Sequence, residues 1–356
     1  MKPTRILYID ILRAISAILI VIYHFPYSWN ASTDWLHGTV NGSWGMAPVF
    51  AFFMLSGVSL MLRYGTDDSF SIKTFYRKRF LSLFPLFWIT YLFAFMLQHW
   101  IAGTINFAVP WYSIVWTVIG MDGWVSKWVP TYYVVGEWFF GSIVILYLLF
   151  PLLLHCWKKN KNLTMLVSTL MAAVLYWYQP IPMEIKQNPV INVFFFLAGA
   201  WIHEYRMAFV GTKLRRTITI GLSGIFLLIT IAIPFARALP TMELSFNAQV
   251  SGFGIFLRHS YNTAQTFAYY LFFLCLEPLI RQSQFLTDLT VEISKKSFAM
   301  FLTHHVIELL IILRHFPAPQ TSNRNLVILL IMTSIFTWIA SEAVSRLDAK
   351  VRAYLR

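Results

Sequence analysis

An arginine and a histidine lie in an otherwise apolar stretch near the start of the chain, Asp10-Ile-Leu-Arg-Ala-Ile-Ser-Ala-Ile-Leu-Ile-Val-Ile-Tyr-His24. In a helix, the eleven steps from Arg13 to His24 return to within roughly 20° of one face, about 16 Å further along the axis. Arginine suits the binding of phosphate, and histidine can act as a general base at neutral pH. The spacing therefore predicts a polar line along one face of an apolar helix.

Each of the two residues also has a plainer explanation. Arg13 is expected about one turn inside a membrane boundary, where a long side chain can extend to water. His24 lies deeper in the apolar stretch, where a histidine can simply be a hydrogen-bonded core residue. The sequence alone leaves both explanations open. To account for the pair without a shared function, however, both explanations must apply to residues on the same face of one helix.

Composition indicates what kind of helix carries this pair. Of 356 residues, 58% are hydrophobic and only 12% are charged, and the mean hydropathy is +0.62, whereas about a quarter of the residues in a soluble domain are charged. We therefore predict an all-α polytopic membrane protein, a single membrane-embedded domain over 1–356. Runs long enough to cross a bilayer indicate about ten transmembrane helices, near 10–28, 47–63, 80–98, 132–156, 163–178, 190–203, 217–235, 264–280, 297–313 and 326–344.

The net charge of +13 fits the same interpretation. With both termini cytoplasmic, most of the 28 basic residues fall in cytoplasmic segments, as the positive-inside rule requires. The basic excess is then topological, so nucleic acid is not expected as a partner and membrane lipids are. The apolar segment near 107–121 is too short to cross and is predicted to be re-entrant or interfacial. Its loop is rich in tryptophan, including Trp124, which fits either an aromatic belt or a platform for sugar stacking.

Several motifs follow the first helix in order. They are Phe52-Phe-Met-Leu-Ser-Gly57, the basic stretch from Phe75 to Pro85, a region from Glu137 to Pro151 with Tyr147, and Ser297-Phe-Ala-Met-Phe-Leu-Thr-His304. Together with the D-x-L-R-A-x(9)-H pattern, they resemble acyltransferase family 3, bacterial membrane proteins that O-acylate surface glycans. The resemblance departs from the family at Ser82, which replaces a second basic residue, and at Phe298 and Phe301, which replace tyrosines.

The resemblance implies a function and assigns roles. The chain resembles stand-alone members without a C-terminal esterase-like domain, so transfer would finish in the membrane domain or on a separate extracytoplasmic partner. The expected reaction is O-acetylation in the bacterial cytoplasmic membrane, from acetyl-CoA or another acyl-CoA to a glycan or lipid-linked glycan. His24 is the expected base and Arg13 a donor-side ligand, while Arg77, Lys78 and Arg79 are expected to bind the donor's phosphates. A topogenic role explains those three charges equally well.

Weaker candidates for substrate binding are Ser56, Glu137, His304 and Trp124. Helix packing is the alternative for Ser56-Gly57. Since His304 and His305 differ by about 100° around a helix, we expect only His304 to face the site. No metal and no permanently bound cofactor is expected, because two cysteines do not form a metal cluster. The alternative function is a secondary transporter using Arg13 and His24, although the matched broken helices typical of transporters are not found.

Overall fold

The computed structural model describes residues 5–29, 44–67, 69–102, 109–132, 135–178, 183–237, 252–312 and 323–355, and these residues contain helices and no strands. In chain order the α-helices are α1 (Leu7–Trp29), α2 (Met46–Tyr64), α3 (Ile72–Ala102), α4 (Ile114–Val118), α5 (Asp122–Val125), α6 (Trp138–Lys159), α7 (Lys161–Trp177), α8 (Pro189–Glu204), α9 (Met207–Val210), α10 (Lys213–Arg237), α11 (Gly252–Ile280), α12 (Gln284–Val306) and α13 (Asn323–Leu355). A π-helical turn, Ile307–Ile312, follows α12 directly, and short 3₁₀ turns cover Trp111–Ser113 and Ile185–Gln187.

The helices confirm an all-helical, polytopic membrane protein. Every predicted span overlaps one of the longer helices. Among the described residues, six helices are long and apolar enough to cross a membrane, namely α1, α2, α3, α6, α11 and α13. Helix α8 is apolar but has only 16 residues. The number ten and the cytoplasmic location of both termini therefore stay predictions.

The segment predicted not to cross is built from short turns. Residues 107 and 108 lie outside the described residues. From Val109 onward, the longest helix in this region, α4, has five residues, which is far too few to span a bilayer. Gly120 interrupts the segment with φ +73°, and an added Cβ there would lie 2.2 Å from a ring carbon of Phe140. The tight turn at Gly120 thus holds the segment against α6.

The residues fall into two compact units, and the first consists of Met1–Tyr23, Ser32–Thr66 and Leu154–Lys295. In this first unit α2 packs closely against α8. A Cβ added at Gly57 would lie 1.8 Å from the carbonyl oxygen of Phe196, and one added at Gly199 would lie 2.2 Å from that of Met54. Small residues let membrane helices approach this closely. The packing interpretation is therefore confirmed for Gly57.

The second unit consists of His24–Ala31, Asp67–Leu153 and Lys296–Arg356. Here α3 packs against α13, and a buried apolar cluster joins the later part of α1 to the π-helical turn and α13. Helix α6 begins at Trp138 rather than near the predicted 132, because Gly136 has φ +73°, a conformation that ends regular helix for most residues. This unit holds most of the side chains that the sequence singled out for chemistry.

Candidate active site

Three histidines of the second unit converge. His24 lies on α1, and His304 and His305 lie at the end of α12 just before the π-helical turn. The ring centroids are 4.9 Å apart for His24 and His304, 4.4 Å for His24 and His305, and 4.1 Å for His304 and His305. We call these three residues the histidine cluster. Their ligand atoms all lie within 4.8 Å of one another, so they could also hold a metal ion.

The expectation that only His304 would face the site is wrong, because both His304 and His305 contact the ring of His24. The angle of about 100° describes only the points at which the two side chains leave the helix. An imidazole ring stands several ångströms from its Cα on two rotatable bonds, so two rings attached about 100° apart can still converge on one neighbour. The wider π-helical backbone that follows is a feature often found at functional sites.

The hydrogen bonds of the cluster fix which nitrogen atoms carry protons. Nδ1 of His304 lies 2.6 Å from the carbonyl oxygen of Phe301, which can only accept, so Nδ1 donates. In the neutral ring Nε2 of His304 is then an acceptor, and it lies 3.2 Å from Nδ1 of His24. Nδ1 of His24 therefore carries its proton, and the lone pair of a neutral His24 is on Nε2. This pattern orients a basic nitrogen.

His305 is held by two further contacts. Its Nδ1 lies 3.9 Å from Oε2 of Glu308, a fully buried carboxylate on the π-helical turn. On its other side, an added Cβ at Gly136 would come within 2.8 Å of Cδ2 of His305. The sequence reasoning missed His305 and Glu308. The spacing of His305 and Glu308, three residues apart in an apolar helix, was the available signal, since such residues are neighbours on a helical surface.

Glu137 follows Gly136 directly and is fully buried. Its Oε1 accepts a hydrogen bond of 3.0 Å from the backbone N–H of Val135. The structure thus places Glu137 next to a residue that contacts the histidine cluster, while its predicted role in binding substrate stays a prediction.

Trp124 lies on α5, which packs against the start of α6, because an added Cβ at Gly123 would lie 2.2 Å from the backbone nitrogen of Trp138. The indole ring is half-buried, and its N–H donates to Ser142 at 3.4 Å. The neighbouring Asp122, which the sequence reasoning also missed, is fully buried, and burial raises the pKa of its carboxyl to about 6.

Arg13 and Ser56 belong to the first unit. Arg13 donates to the hydroxyl of Ser59 on α2 at 2.9 Å, so its side chain is held against protein. Asp10 accepts hydrogen bonds from Arg5 and Ser294, each at 2.6 Å, which gives it a structural role. Ser56 is half-buried on α2. Arg13 and His24 lie on one uninterrupted helix, α1, as expected. That both residues act on the same substrate stays a prediction.

The basic stretch at the start of α3 lies in the second unit. Arg77 and Lys78 are exposed, and the guanidinium of Arg79 lies 5.9 Å from the ring centroid of Phe75 and 5.7 Å from that of Tyr147. Stacking on two aromatic rings accounts for part of the placement of Arg79. The assignment of phosphate binding to these residues stays a prediction.

The described residues form a polytopic helical membrane protein that holds a hydrogen-bonded, half-buried histidine, a candidate general base. A family model described as an acyltransferase domain matches residues 6–342, nearly the whole chain. The chain belongs to this acyltransferase family, as the sequence motifs indicated. The comparison with curated proteins and the comparison with solved structures each found no match. The family membership supports an acyltransferase over the secondary transporter.

Proposed function

We propose that the protein is an O-acetyltransferase that moves an acetyl group from acetyl-CoA to a hydroxyl group of a bacterial cell-surface glycan, with His24 as the general base. The family supports the reaction class, and the resemblance of the motifs supports the donor and the acceptor. The single observation that carries the assignment of His24 is the hydrogen-bond chain from the carbonyl of Phe301 through His304 to Nδ1 of His24. This chain leaves the basic lone pair on Nε2.

The reaction follows from this arrangement. The acceptor hydroxyl attacks the thioester carbonyl carbon while Nε2 of His24 takes the hydroxyl proton, and a tetrahedral intermediate forms. The carbon–sulfur bond then breaks, and the leaving thiolate takes the proton back from the His24 imidazolium. During the positively charged stage, Nδ1–H of His24 donates to Nε2 of His304, and this bond strengthens as the donor becomes charged. His304 is therefore a positioning residue, and His24 is the residue that contacts the reacting atoms.

The other candidates divide into two groups. Arg13, held on Ser59, is the donor-side arginine in this proposal. Glu137 and Trp124 are acceptor-side candidates, because they lie on the segments around Gly136, whose backbone contacts His305. Carboxylates and aromatic rings are common in sugar sites, where carboxylates accept hydrogen bonds from hydroxyl groups and aromatic rings stack on the sugar ring. The glycan is free or lipid-linked, and the membrane is the bacterial cytoplasmic membrane.

Labelled donor tests the proposal. Membranes from cells that express the wild-type chain are incubated with acetyl-CoA labelled in the acetyl group, and label in the glycan fraction and release of free CoA are measured. His24→Ala should reduce both signals about 10²- to 10⁴-fold, the usual loss for a general base. His155→Ala removes an exposed histidine on α6 and serves as the matched control. Wild-type label transfer by His24→Ala would overturn the mechanism, and label transport without thioester consumption would favour a transporter.

Metal analysis tests whether the histidine cluster binds a metal ion instead. A metal ion held by the histidine cluster would need the lone pairs that the hydrogen bond between His304 and His24 uses. The proposal therefore expects purified protein to contain substoichiometric zinc and other divalent metals, and acetyl transfer to survive a chelator. One tightly bound metal ion per chain, lost together with activity, would make His24 a ligand and contradict its role as base.

A further inference from the structure

A cavity of about 670 Å³ lies within the first unit, where the end of α2, the junction of α6 and α7, and the last turn of α8 meet. Three lysines line it, Lys158, Lys159 and Lys161. Of the described residues that line the cavity, only Glu204 carries a carboxylate. We call this the lysine cavity. An excess of positive charge along a concave surface is the pattern that attracts a multiply charged anion.

The backbone adds to this charge. Helix α7 begins at Lys161, and its N-cap residue Asn160 accepts a hydrogen bond of 3.0 Å from the N–H of Leu163. Both Asn160 and Lys161 line the lysine cavity, so the positive end of a 17-residue helix lies at its wall. The lysines and the N-terminal end of α7 thus both favour a negatively charged ligand.

The side chains of the wall are held in position by neighbouring groups. Oδ1 of Asn162 accepts from Nε1 of Trp201 at 3.0 Å and from the hydroxyl of Tyr205 at 2.9 Å. These two bonds fix the oxygen end of the amide and leave its NH₂ end as a donor. Lys161 is hydrogen-bonded to Glu204, and its ammonium group lies 5.4 Å from the ring centroid of Tyr205. This part of the wall is therefore held in place before a ligand binds, which lowers the entropic cost of binding.

Helix α2 connects the cavity to the donor-side arginine. Val58 and Met61 of α2 line the cavity, and Ser59, which lies between them in sequence, accepts the hydrogen bond from Arg13. Arg13 is thus held on the same stretch of α2 that forms the cavity wall. Trp157 also lines the cavity and offers an aromatic face on which a nucleotide base can stack.

We infer that the lysine cavity binds the phosphorylated nucleotide end of the acyl-CoA donor. The identity of the ligand rests on the proposed function, while the charge and shape of the cavity do not. Lys158 and Lys159 are exposed, as Arg77 and Lys78 are, but they line a half-open cavity beside the start of α7, whereas Arg79 lies over aromatic rings. An anionic lipid headgroup offers the same phosphate chemistry, so the experiment must separate the two sources of phosphate.

Binding of CoA to the purified full-length protein in zwitterionic nanodiscs provides the test, measured by calorimetry. Lys158→Gln with Lys159→Gln should weaken CoA binding at least tenfold, because a hydrogen bond to a charged group typically changes binding by that factor or more. Pantetheine, which lacks the phosphates, should bind the wild type and this variant equally. Replacing both lysines by arginine should restore CoA binding. Lys213→Gln with Lys350→Gln removes two exposed lysines outside the cavity and should stay within twofold of wild type.

Several outcomes overturn the inference. Unchanged CoA affinity in Lys158→Gln with Lys159→Gln would do so, as would a tenfold loss in Arg77→Gln with Lys78→Gln instead. Retention of phosphatidylglycerol in native mass spectra that depends on Lys158 and Lys159, with CoA binding indifferent to them, would assign the cavity to lipid. If CoA binds through these lysines but no acetyl group is transferred, the proposed function is refuted and the inference about CoA binding is not. His24→Ala should bind CoA normally.

Discussion

Replacement of His304 by leucine should slow acetyl transfer about tenfold and should do so only when His24 is present. Leucine cannot accept the Nδ1–H of His24, so the 3.2 Å hydrogen bond that selects the reactive tautomer is lost. A hydrogen bond of this kind contributes roughly 0.5 to 1.5 kcal/mol, which corresponds to about 2- to 13-fold in rate. Because His24 is half-buried, water replaces the lost acceptor only in part, and we expect a loss near the upper end of that range. His304→Gln places an acceptor oxygen near the position of Nε2 and should retain most of the activity.

The double variant separates a positioning role from an independent one. His24→Ala alone should lower kcat about 10²- to 10⁴-fold, and adding His304→Leu should change this residual rate less than twofold, because the partner through which His304 acts is gone. Initial rates of CoA release at saturating acetyl-CoA give kcat, and the KM for acetyl-CoA should stay near wild type. Multiplicative losses in the double variant would refute the hydrogen-bond chain. Thermal melting in detergent checks that each variant is folded.

Three further predictions concern the fold. Reporter fusions after Lys161 and after Trp124 should report opposite sides of the membrane, and the same side for both would contradict the ten-span scheme. Asp122→Asn should stabilise the protein at pH 8 and have little effect near pH 4, because the pKa of Asp122 rises from 3.8 to about 6 on folding. The unfolded carboxyl ionises above pH 3.8 and the folded one only above about pH 6, so the wild-type protein loses stability between these two pH values and the full loss is present at pH 8. Two pKa units limit this loss to about 3 kcal/mol, and thermal melts at both pH values measure it. Gly57→Ala should destabilise the protein by at least about 1 kcal/mol, since its Cβ would lie 1.8 Å from the carbonyl oxygen of Phe196. The control Gly221→Ala, with nothing within 4 Å of the added Cβ, should be neutral or mildly stabilising. Equal melting temperatures for the two variants would contradict the close approach of α2 and α8.

Much of the helical framework follows from local sequence. Long apolar runs must satisfy their backbone groups internally in a bilayer, so they form helices wherever they fall. For that reason the predicted spans overlap the observed helices, and the 15-residue apolar segment near 107–121, too short to cross, breaks into turns where it is described. One boundary error lies before α6, where Gly136 adopts φ +73° in contact with His305. A contact between residues far apart in the sequence cannot be detected from a local hydropathy pattern.

The chemistry of the site depends more on tertiary structure. The sequence by itself determined that His24 and Arg13 share one apolar helix, and motif resemblance identified the family and His304. It did not show that His304, which is 280 positions from His24, lies within hydrogen-bond distance of it. It also did not show that His305 joins the same cluster, or that three lysines line one cavity beside the stretch of α2 that holds Arg13. Periodicity reports which face of one helix a residue occupies, whereas the packing of several helices decides which faces meet, because that packing is a collective minimum over many weak contacts between residues far apart in the chain.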